Sequence, residues 1–173
     1  MFWMKATMVG MITSDYHRGL ALLKDYLETG STHSSTKIDG IVDVEALYYV
    51  GAKGAGFIRE LGPSMEESFK TLTDTSTARQ YSISGLPFVL YNSMDIKTGH
   101  CDYTAALPTF DPTPVESPLV SALRPECRAL KVIHAGPYKH LGNAWSLIMA
   151  EAREQKLKIN KSLPPFERYL NDP

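Results

Sequence analysis

The chain has 173 residues, of which 43% are hydrophobic, 21% charged and 10% aromatic, and this length and composition predict one globular unit with a small appendage. Its formal net charge of −1 gives no positive field that would attract phosphate backbones, so we expect no direct nucleic-acid binding. The sequence contains no run of about 18 apolar residues that would span a membrane. Its apolar start lacks the basic segment and cleavage site of a secretory signal. These features predict a cytoplasmic protein that makes no contact with membranes.

The first predicted element is a helix close to the N-terminus. Apolar residues recur at helical spacing through SDYHRGLALLKDYLETGS, with Ser14 as a candidate N-cap and Gly30 at the position after the last turn. The polar stretch GSTHSSTKIDG that follows is typical of a surface linker. We therefore expect an N-terminal helix and linker over residues 1–36 and a second region over residues 37–173.

The next stretch reads as a strand, a helix and a hairpin. VDVEALYYVGAKGAGF is rich in β-branched and aromatic residues with glycine breaks, which predicts a strand with a bulge. GPSMEESFKTL has helical periodicity, and Ser64 and Glu67 are spaced as a capping box. LPFVLYNSMD and CDYTAALP, separated by a short polar turn, predict a β-hairpin. The predicted order is β–α–β–β.

The same order returns after the proline-rich crossover PTFDPTPVESP. The strand CRALKVIHAG is followed by a Gly-Pro pair, the helix KHLGNAWSLIMAEAREQK and the strand FERYL. Trp145 follows Phe69 at an offset of about 76 residues, which indicates an internal repeat. The two half-repeats cover about 41–111 and 126–173.

One such half-repeat is too small to bury the apolar face of its own sheet, so the two halves must pack together. We therefore predict an α+β fold in which duplicated β–α–β–β half-repeats form a pseudo-twofold domain of two antiparallel sheets and two helices. The N-terminal helix is additional to this domain. A central groove between the halves is a suitable place for a small molecule.

One acidic residue breaks the symmetry of the repeat. When Pro87–Tyr91 is aligned with Pro165–Tyr169, the tyrosines match but Val89 takes the place of Glu167. In an alternating strand, Glu167 and Tyr169 share one face while Phe166 and Arg168 share the other. The acid is therefore present in only one of the two half-repeats, and the halves differ chemically at this position.

Glu167 has two interpretations. A structural one pairs it with Arg168, Lys131 or Lys139, or leaves it facing water. In the functional one, aromatic neighbours partly desolvate the carboxylate and favour a bound cation, with cation–π attraction of about 0.5–2 kcal/mol per ring. We expect these neighbours among Tyr49, Tyr91, Tyr138, Trp145 and Tyr169.

Other chemistries have little support in the sequence. The five histidines show no metal-ligand spacing, and GAKGAGF lacks the Lys-Ser/Thr ending of a phosphate loop. Cys101 and Cys127 form no C-x-x-C motif, which favours free thiols. We expect neither a metal nor a cofactor.

The segments HAGPYKHLGNAW and PFERYLNDP resemble the GyrI-like family, the effector-binding domain of transcription activators, over about residues 43–173. The resemblance implies a duplicated β–α–β–β fold whose groove binds hydrophobic, often cationic, molecules. It implies that Glu167 is the pocket acid, that Tyr169 and Tyr138 are pocket aromatics, and that Trp145 roofs the groove.

The resemblance also suggests neighbours for this domain. FWMKATMVGMITSDYHRGLALLKDYLETG resembles the junction that follows a START-like domain, so we expect the chain to be the C-terminal part of a longer protein. The family pattern usually continues past Asn-Asp-Pro into a last strand. Without that strand we expect a sheet edge that is open or filled by a partner chain, which favours a homodimer, although a covered or charged edge would serve as well.

Two functions of different class follow, with a protein-interaction role as a third possibility. The first is a binding module that senses or sequesters a hydrophobic, cationic small molecule, and its expected ligand-binding residues are Glu167, Tyr169, Trp145, Tyr138, Tyr91, Tyr49, Phe57 and Phe69. The second, implied by hydrolases among the relatives, is the opening of cyclopropane-containing electrophiles. Its catalytic residues would be Glu167, Tyr138 and Tyr169, acting as general acid and base.

Overall fold

A computed structural model describes residues 2–95 and 97–171, apart from the side chains of residues 2–11, 14 and 59. The described helices are α1 (Phe2–Thr29), α2 (Leu61–Ala78) and α3 (Gly142–Glu154). The described strands are β1 (Ser35–Val44), β2 (Leu47–Phe57), β3 (Phe88–Asp95), β4 (His100–Thr109), β5 (Leu119–Arg124), β6 (Cys127–Ala135) and β7 (Phe166–Arg168). Single turns of 3-10 helix, Ile58–Glu60 and Tyr138–His140, precede α2 and α3. Within these described stretches, every helix is too short or too polar to cross a membrane.

The strands form two antiparallel sheets, which confirms the predicted α+β class with an N-terminal helix. β1 and β6 form a two-stranded sheet, and the larger sheet has the order β5-β2-β4-β3-β7. The two sheets differ in size, with two strands in one and five in the other. β7, from the second half-repeat, pairs with β3 of the first, with Phe88 opposite Arg168 and Leu90 opposite Phe166.

The chain separates into two compact units, which are described one at a time. The helical unit comprises the described parts of residues 1–44 and 128–160, with α1, β1, β6 and α3. The sheet unit comprises the described parts of residues 45–127 and 161–172, with the five-stranded sheet and α2.

The two faces of the sheet unit have different neighbours because side chains alternate along each strand. On the face covered by α2, Leu72 packs against Val50 and Leu107, and Leu61 packs against Val89 and Tyr103. The opposite face carries buried Phe88, Leu90 and Ala106, with Tyr49 and Phe166 packed against them. Full burial of an aliphatic side chain such as Leu72 contributes about 1.5–3 kcal/mol. We call the face of the sheet that α2 covers the α2 face.

The glycines of β2 make room for a neighbouring ring, and the predicted bulge in this strand was wrong. β2 pairs with β4 in unbroken register from Tyr48 opposite Thr109 to Phe57 opposite His100. A Cβ atom at Gly54 would lie 2.3 Å from the Tyr103 hydroxyl oxygen. Glycine at this position therefore lets the buried Tyr103 ring lie against the backbone of β2.

Both predicted N-caps were wrong because each helix begins earlier than its polar residue. α1 begins at Phe2 and continues through Ser14, since no proline lies among the preceding residues and the single Gly10 costs only about 1 kcal/mol relative to alanine. α2 begins at Leu61, and the Ser64 hydroxyl lies 2.7 Å from the Tyr103 hydroxyl instead of capping the helix. The predicted end of α1 is confirmed, because Gly30 has a φ of +77° and donates its N–H to the Tyr26 carbonyl.

The predicted linker after α1 was partly wrong, since residues from Ser35 onward belong to β1. Its exposed and half-buried residues alternate along the strand, and pairing with β6 supplies the backbone hydrogen bonds. The small polar composition did not exclude a strand because strand formation depends on the partner strand more than on intrinsic propensity.

A buried histidine links α1 to the turn before α3 in the helical unit. His140 is 1% exposed, and its Nε2 lies 2.7 Å from Oδ2 of Asp25 on α1. Lys139 Nζ also donates to Asp25, at 2.8 Å from Oδ1. Lys139 first, and His140 second, hold the pKa of the Asp25 carboxyl below its usual range. We call these three residues the Asp25 cluster.

Candidate functional site

β7 places Glu167 on the α2 face of the sheet unit. Glu167 lies opposite Val89 in the antiparallel β3–β7 pair. Its sequence neighbour Phe166 packs on the opposite face, against Phe88. The alternation predicted for this strand is therefore confirmed, and it directs the carboxylate toward the side that α2 covers.

Two tyrosines donate hydrogen bonds to one oxygen of Glu167. The Tyr91 hydroxyl donates to Oε2 at 2.8 Å, and the Tyr169 hydroxyl donates to the same oxygen at 3.3 Å. Phe69 of α2 packs edge-on against Tyr169, with ring centroids 5.9 Å apart. We call Glu167, Tyr91, Tyr169 and Phe69 the Glu167 cluster.

The surroundings keep the phenol and thiol groups near Glu167 protonated. Burial raises the pKa of the Tyr91 phenol far above its usual range, and the Glu167 carboxylate raises it further. Burial likewise raises the pKa of the Cys101 thiol, with smaller effects from Asp102 and Glu167. Tyr91 is therefore a stable hydrogen-bond donor to the carboxylate at neutral pH.

The lysines considered as partners of Glu167 form ion pairs with other acids. Lys131 Nζ lies 2.7 Å from Asp39 Oδ2, and Lys139 pairs with Asp25. Both phenol contacts on Glu167 come from tyrosines expected beside it, so the structure brings Tyr91 and Tyr169 to the acid.

Tyr49 and Phe57 lie elsewhere in the sheet unit. Tyr49 packs edge-on against Phe88, with centroids 5.6 Å apart, on the face opposite Glu167. Phe57 is half exposed at the end of β2 and packs edge-on against His100. The structure therefore does not bring these two aromatics to the acid, because strand alternation and strand length separate them from it.

Tyr138 and Trp145 belong to the helical unit. Tyr138 is 44% exposed in the turn before α3, and Trp145 is half-buried on α3 itself. Their expected roles in ligand binding remain predictions.

A second polar group on the α2 face was not predicted from the sequence. Ser64 and Ser68, one turn apart on α2, lie 2.7 Å and 3.0 Å from the hydroxyl oxygen of fully buried Tyr103. The i, i+4 spacing of these serines was the available signal. They satisfy a phenol that would otherwise be buried without a partner.

Two surface cavities lie apart from Glu167. One of about 400 Å³ follows α1 and is lined by Ile12, Asp15, Tyr16, Gly19, Leu20 and Leu23. The other, of about 340 Å³, lies at the C-terminal end of α2. Glu167 lines neither of them. The Tyr91 and Tyr169 hydroxyls lie against its carboxylate.

Comparisons with known proteins agree with this fold. The model of the GyrI-like small molecule binding domain matches residues 40–173. No curated protein gives a significant match. Among solved structures, the crystal structure of the EcmrR C-terminal domain is 17% identical, with a TM-score of 0.62 over 80% of this chain and 85% of that one.

Two further structures extend the comparison. EcmrR in a cryo-EM structure of its DNA complex in EcmrR-RPo is 16% identical, with a TM-score of 0.63 over 99% of this chain, which spans 60% of the length of that one. SAV2435 bound to tetraphenylphosphonium is 11% identical, with a TM-score of 0.51 over 79% of this chain and 85% of that one. At these identities the likeness establishes the fold alone. The family match covers most of the sequence, and the chain therefore belongs to the GyrI-like small-molecule-binding domain family.

Proposed function

We propose that this small-molecule-binding domain takes up a hydrophobic cation at the Glu167 cluster and serves to sense or sequester it. The observation that supports this most is the double hydrogen bond from Tyr91 and Tyr169 to one carboxylate oxygen of Glu167. It places an acid and two aromatic rings within contact distance of one another, on the side of the sheet that α2 covers.

The chemistry of the cluster suits a cation with aromatic or aliphatic arms. Phenol hydrogen bonds add no positive charge, so they orient the Glu167 carboxylate without neutralising it. Aromatic faces attract a cation by about 0.5–2 kcal/mol each. A half-buried carboxylate gains more from a cation than an exposed one does, because water screens the pair less.

Binding at this cluster requires a phenol to move. The Tyr169 hydroxyl lies 3.3 Å from Glu167 Oε2 and the Tyr91 hydroxyl lies 2.8 Å from it, so the Tyr169 bond is the weaker of the two. Tyr169 also follows the last residue of a three-residue strand. We therefore expect Tyr169 to swing away from the acid while Tyr91 keeps its orientation.

Tetraphenylphosphonium is a suitable probe because it joins a positive charge to four aromatic rings. It is also the molecule to which SAV2435, a structural neighbour, is bound. Its affinity can be measured by isothermal titration calorimetry against the wild-type chain, Glu167→Gln and the control Glu67→Gln. Glu67 is exposed on α2, so the control removes one negative charge from the same unit without altering the cluster.

We expect Glu167→Gln to weaken the binding of tetraphenylphosphonium by about 5–30-fold, since a close charge pair near a protein surface is worth roughly 1–2 kcal/mol after solvent screening. Neutral triphenylphosphine oxide should change by less than about twofold, and Glu67→Gln should bind like the wild type. Equal weakening of the cation and the neutral compound would contradict the electrostatic role of Glu167. The absence of saturable binding to the wild type would contradict the ligand class.

Hydrolysis of an electrophile is the second candidate, because the same contacts place two phenols within proton-transfer distance of a carboxylate. The raised pKa of Tyr91 argues against this phenol as the proton donor, since a phenol whose pKa lies far above neutral releases its proton poorly. Incubation with a cyclopropane-containing electrophile, followed by mass spectrometry, separates the two. A binder returns the compound unchanged, whereas a hydrolase yields the ring-opened, water-added product at a rate that falls in Glu167→Gln.

A further inference from the structure

A cavity of about 340 Å³ lies at the C-terminal end of α2, within the sheet unit. Its lining residues are Thr73, Ser76, Thr77, Gln80, Tyr81, Ile83 and Leu107. We call it the α2-end cavity. It shares no residue with the Glu167 cluster, so it constitutes a separate region of the molecule.

Ser76 lines this cavity, and its hydroxyl is buried beneath the cavity surface. The residue is 5% exposed, and its Oγ has no hydrogen-bond partner in the described part of the chain. Its carbonyl oxygen, by contrast, accepts the Tyr81 N–H at 2.9 Å. Because buried hydroxyls are nearly always satisfied, this one points to a partner from outside the chain.

Gln80 is held in a conformation that usually requires glycine. It follows the C-cap of α2 with a φ of +55°. The Gln80 N–H donates to the Thr77 carbonyl, and the Tyr81 N–H donates to the Ser76 carbonyl, which is the paired pattern of a Schellman motif. Glycine would adopt this conformation without strain, but glutamine places an amide group at the cavity wall.

The remaining lining selects an uncharged ligand. Ile83 and Tyr81 pack against the core cluster that contains Leu107, and they supply an apolar floor. Thr73 and Thr77 add hydroxyl groups, and none of the described residues that line the cavity is charged. A volume near the lower end of the range for ligand sites, about 300–1,000 Å³, suits a molecule of one or two rings.

We propose that the α2-end cavity is a second ligand site, which binds a small, uncharged, mostly apolar molecule through one hydrogen bond to the Ser76 hydroxyl. The apolar body of this ligand lies on Ile83 and Leu107, and rotation of the Ser76 side chain turns its hydroxyl toward the polar group of the ligand. This site is independent of the cation site proposed at Glu167.

Indole and 1-methylindole form a matched pair of probes for this site. Indole has one N–H donor on an apolar bicyclic ring, and 1-methylindole lacks that donor. Both are titrated into the full chain with amide chemical shifts as the readout. The variants are Ser76→Ala, which removes the buried hydroxyl, and Thr75→Ala as its control, because the Thr75 hydroxyl is engaged by the Thr71 carbonyl and does not line the cavity.

Indole should shift amides of the α2 C-terminus and residues 80–83, and it should bind the wild type more tightly than 1-methylindole. Ser76→Ala should weaken the binding of indole by about 2–10-fold, the range expected for one hydrogen bond. Indole and 1-methylindole should then bind this variant with equal affinity. Thr75→Ala and Glu167→Gln should bind indole as the wild type does.

A second variant tests the cavity independently, in case Ser76→Ala disturbs the fold. Thr77 is exposed at the cavity wall, so Thr77→Trp should fill the entrance and abolish indole binding while the melting temperature is retained. Shifts that map elsewhere, or equal affinity of the wild type and Ser76→Ala for indole, would overturn the proposal. Loss of indole binding in Glu167→Gln would show that only the first site exists.

Discussion

Two acidic residues of this protein accept hydrogen bonds from different kinds of donor. Asp25 in the helical unit is bound by a lysine and a buried histidine, which are cationic or can become so. Glu167 in the sheet unit receives hydrogen bonds from two phenols, which are neutral. Cationic partners stabilise a carboxylate by supplying opposite charge, whereas phenols fix its position and leave its charge in place. We infer that the Asp25 cluster serves the fold and the Glu167 cluster serves a ligand.

Replacement of His140 with alanine should give the largest loss of stability in this comparison. The change removes a ring that is 1% exposed and its 2.7 Å contact with Asp25, and we expect it to cost about 2–4 kcal/mol in the free energy of unfolding. Urea denaturation followed by circular dichroism measures this loss. Lys139→Ala is the matched control, since its 57% exposed side chain should contribute less than about 1 kcal/mol. Similar losses of unfolding free energy in both variants would contradict the larger contribution assigned to the buried His140 ring.

Removal of single hydroxyls from the Glu167 cluster should have intermediate effects and should rank its two phenols. Tyr91→Phe removes the shorter hydrogen bond to Glu167, at 2.8 Å, and should destabilise the fold by about 1.5–3 kcal/mol, as expected for a bond to a charged group. Tyr169→Phe removes the 3.3 Å bond and should cost less than about 1 kcal/mol. The same denaturation experiment compares them. The reverse order would indicate that Tyr169 holds the acid and that Tyr91 is the phenol that moves.

The smallest expected effect is a dependence of stability on acid pH through Asp25. Its pKa in the folded state is lowered by Lys139 and His140, so the unfolded chain takes up a proton more readily. The stabilisation is therefore complete above the ordinary carboxyl pKa of 3.8 and is lost as the pH falls through the lowered folded value. The difference in melting temperature between the wild type and Asp25→Asn should be steady from about pH 5 to 4 and should shrink below that. A difference that stays constant to about pH 2 would contradict the assigned shift.

Sequence periodicity predicted the local elements because each depends on residues close together in the chain. The hairpin of β3 and β4, the strand β6 and the end of α1 at Gly30 were all predicted in this way. The start of α2 and the strand β1 were missed. In both cases the missed feature goes with a distant contact, which is the Tyr103 hydroxyl beside Ser64 in α2 and the pairing with β6 in β1.

The candidate site was predicted in part. The break in the repeat at Glu167 identified the acid, and strand alternation placed Tyr169 on its side of β7. The contact between Glu167 and Tyr91 depends on the pairing of β3 with β7, which joins residues from the two half-repeats. No local pattern could reveal that pairing, because two short apolar strands can pair in several orders.

The sequence by itself determined that this is an α+β chain with a repeated motif and one asymmetric acid, because periodicity and residue type are local properties. Only the tertiary structure decided that β7 joins the larger sheet, that two phenols share one oxygen of Glu167, and that the hydroxyl of Ser76 is buried at a cavity. These features depend on which distant segments pack together, and that packing is selected by the burial of apolar surface over the whole unit rather than by any single stretch of residues.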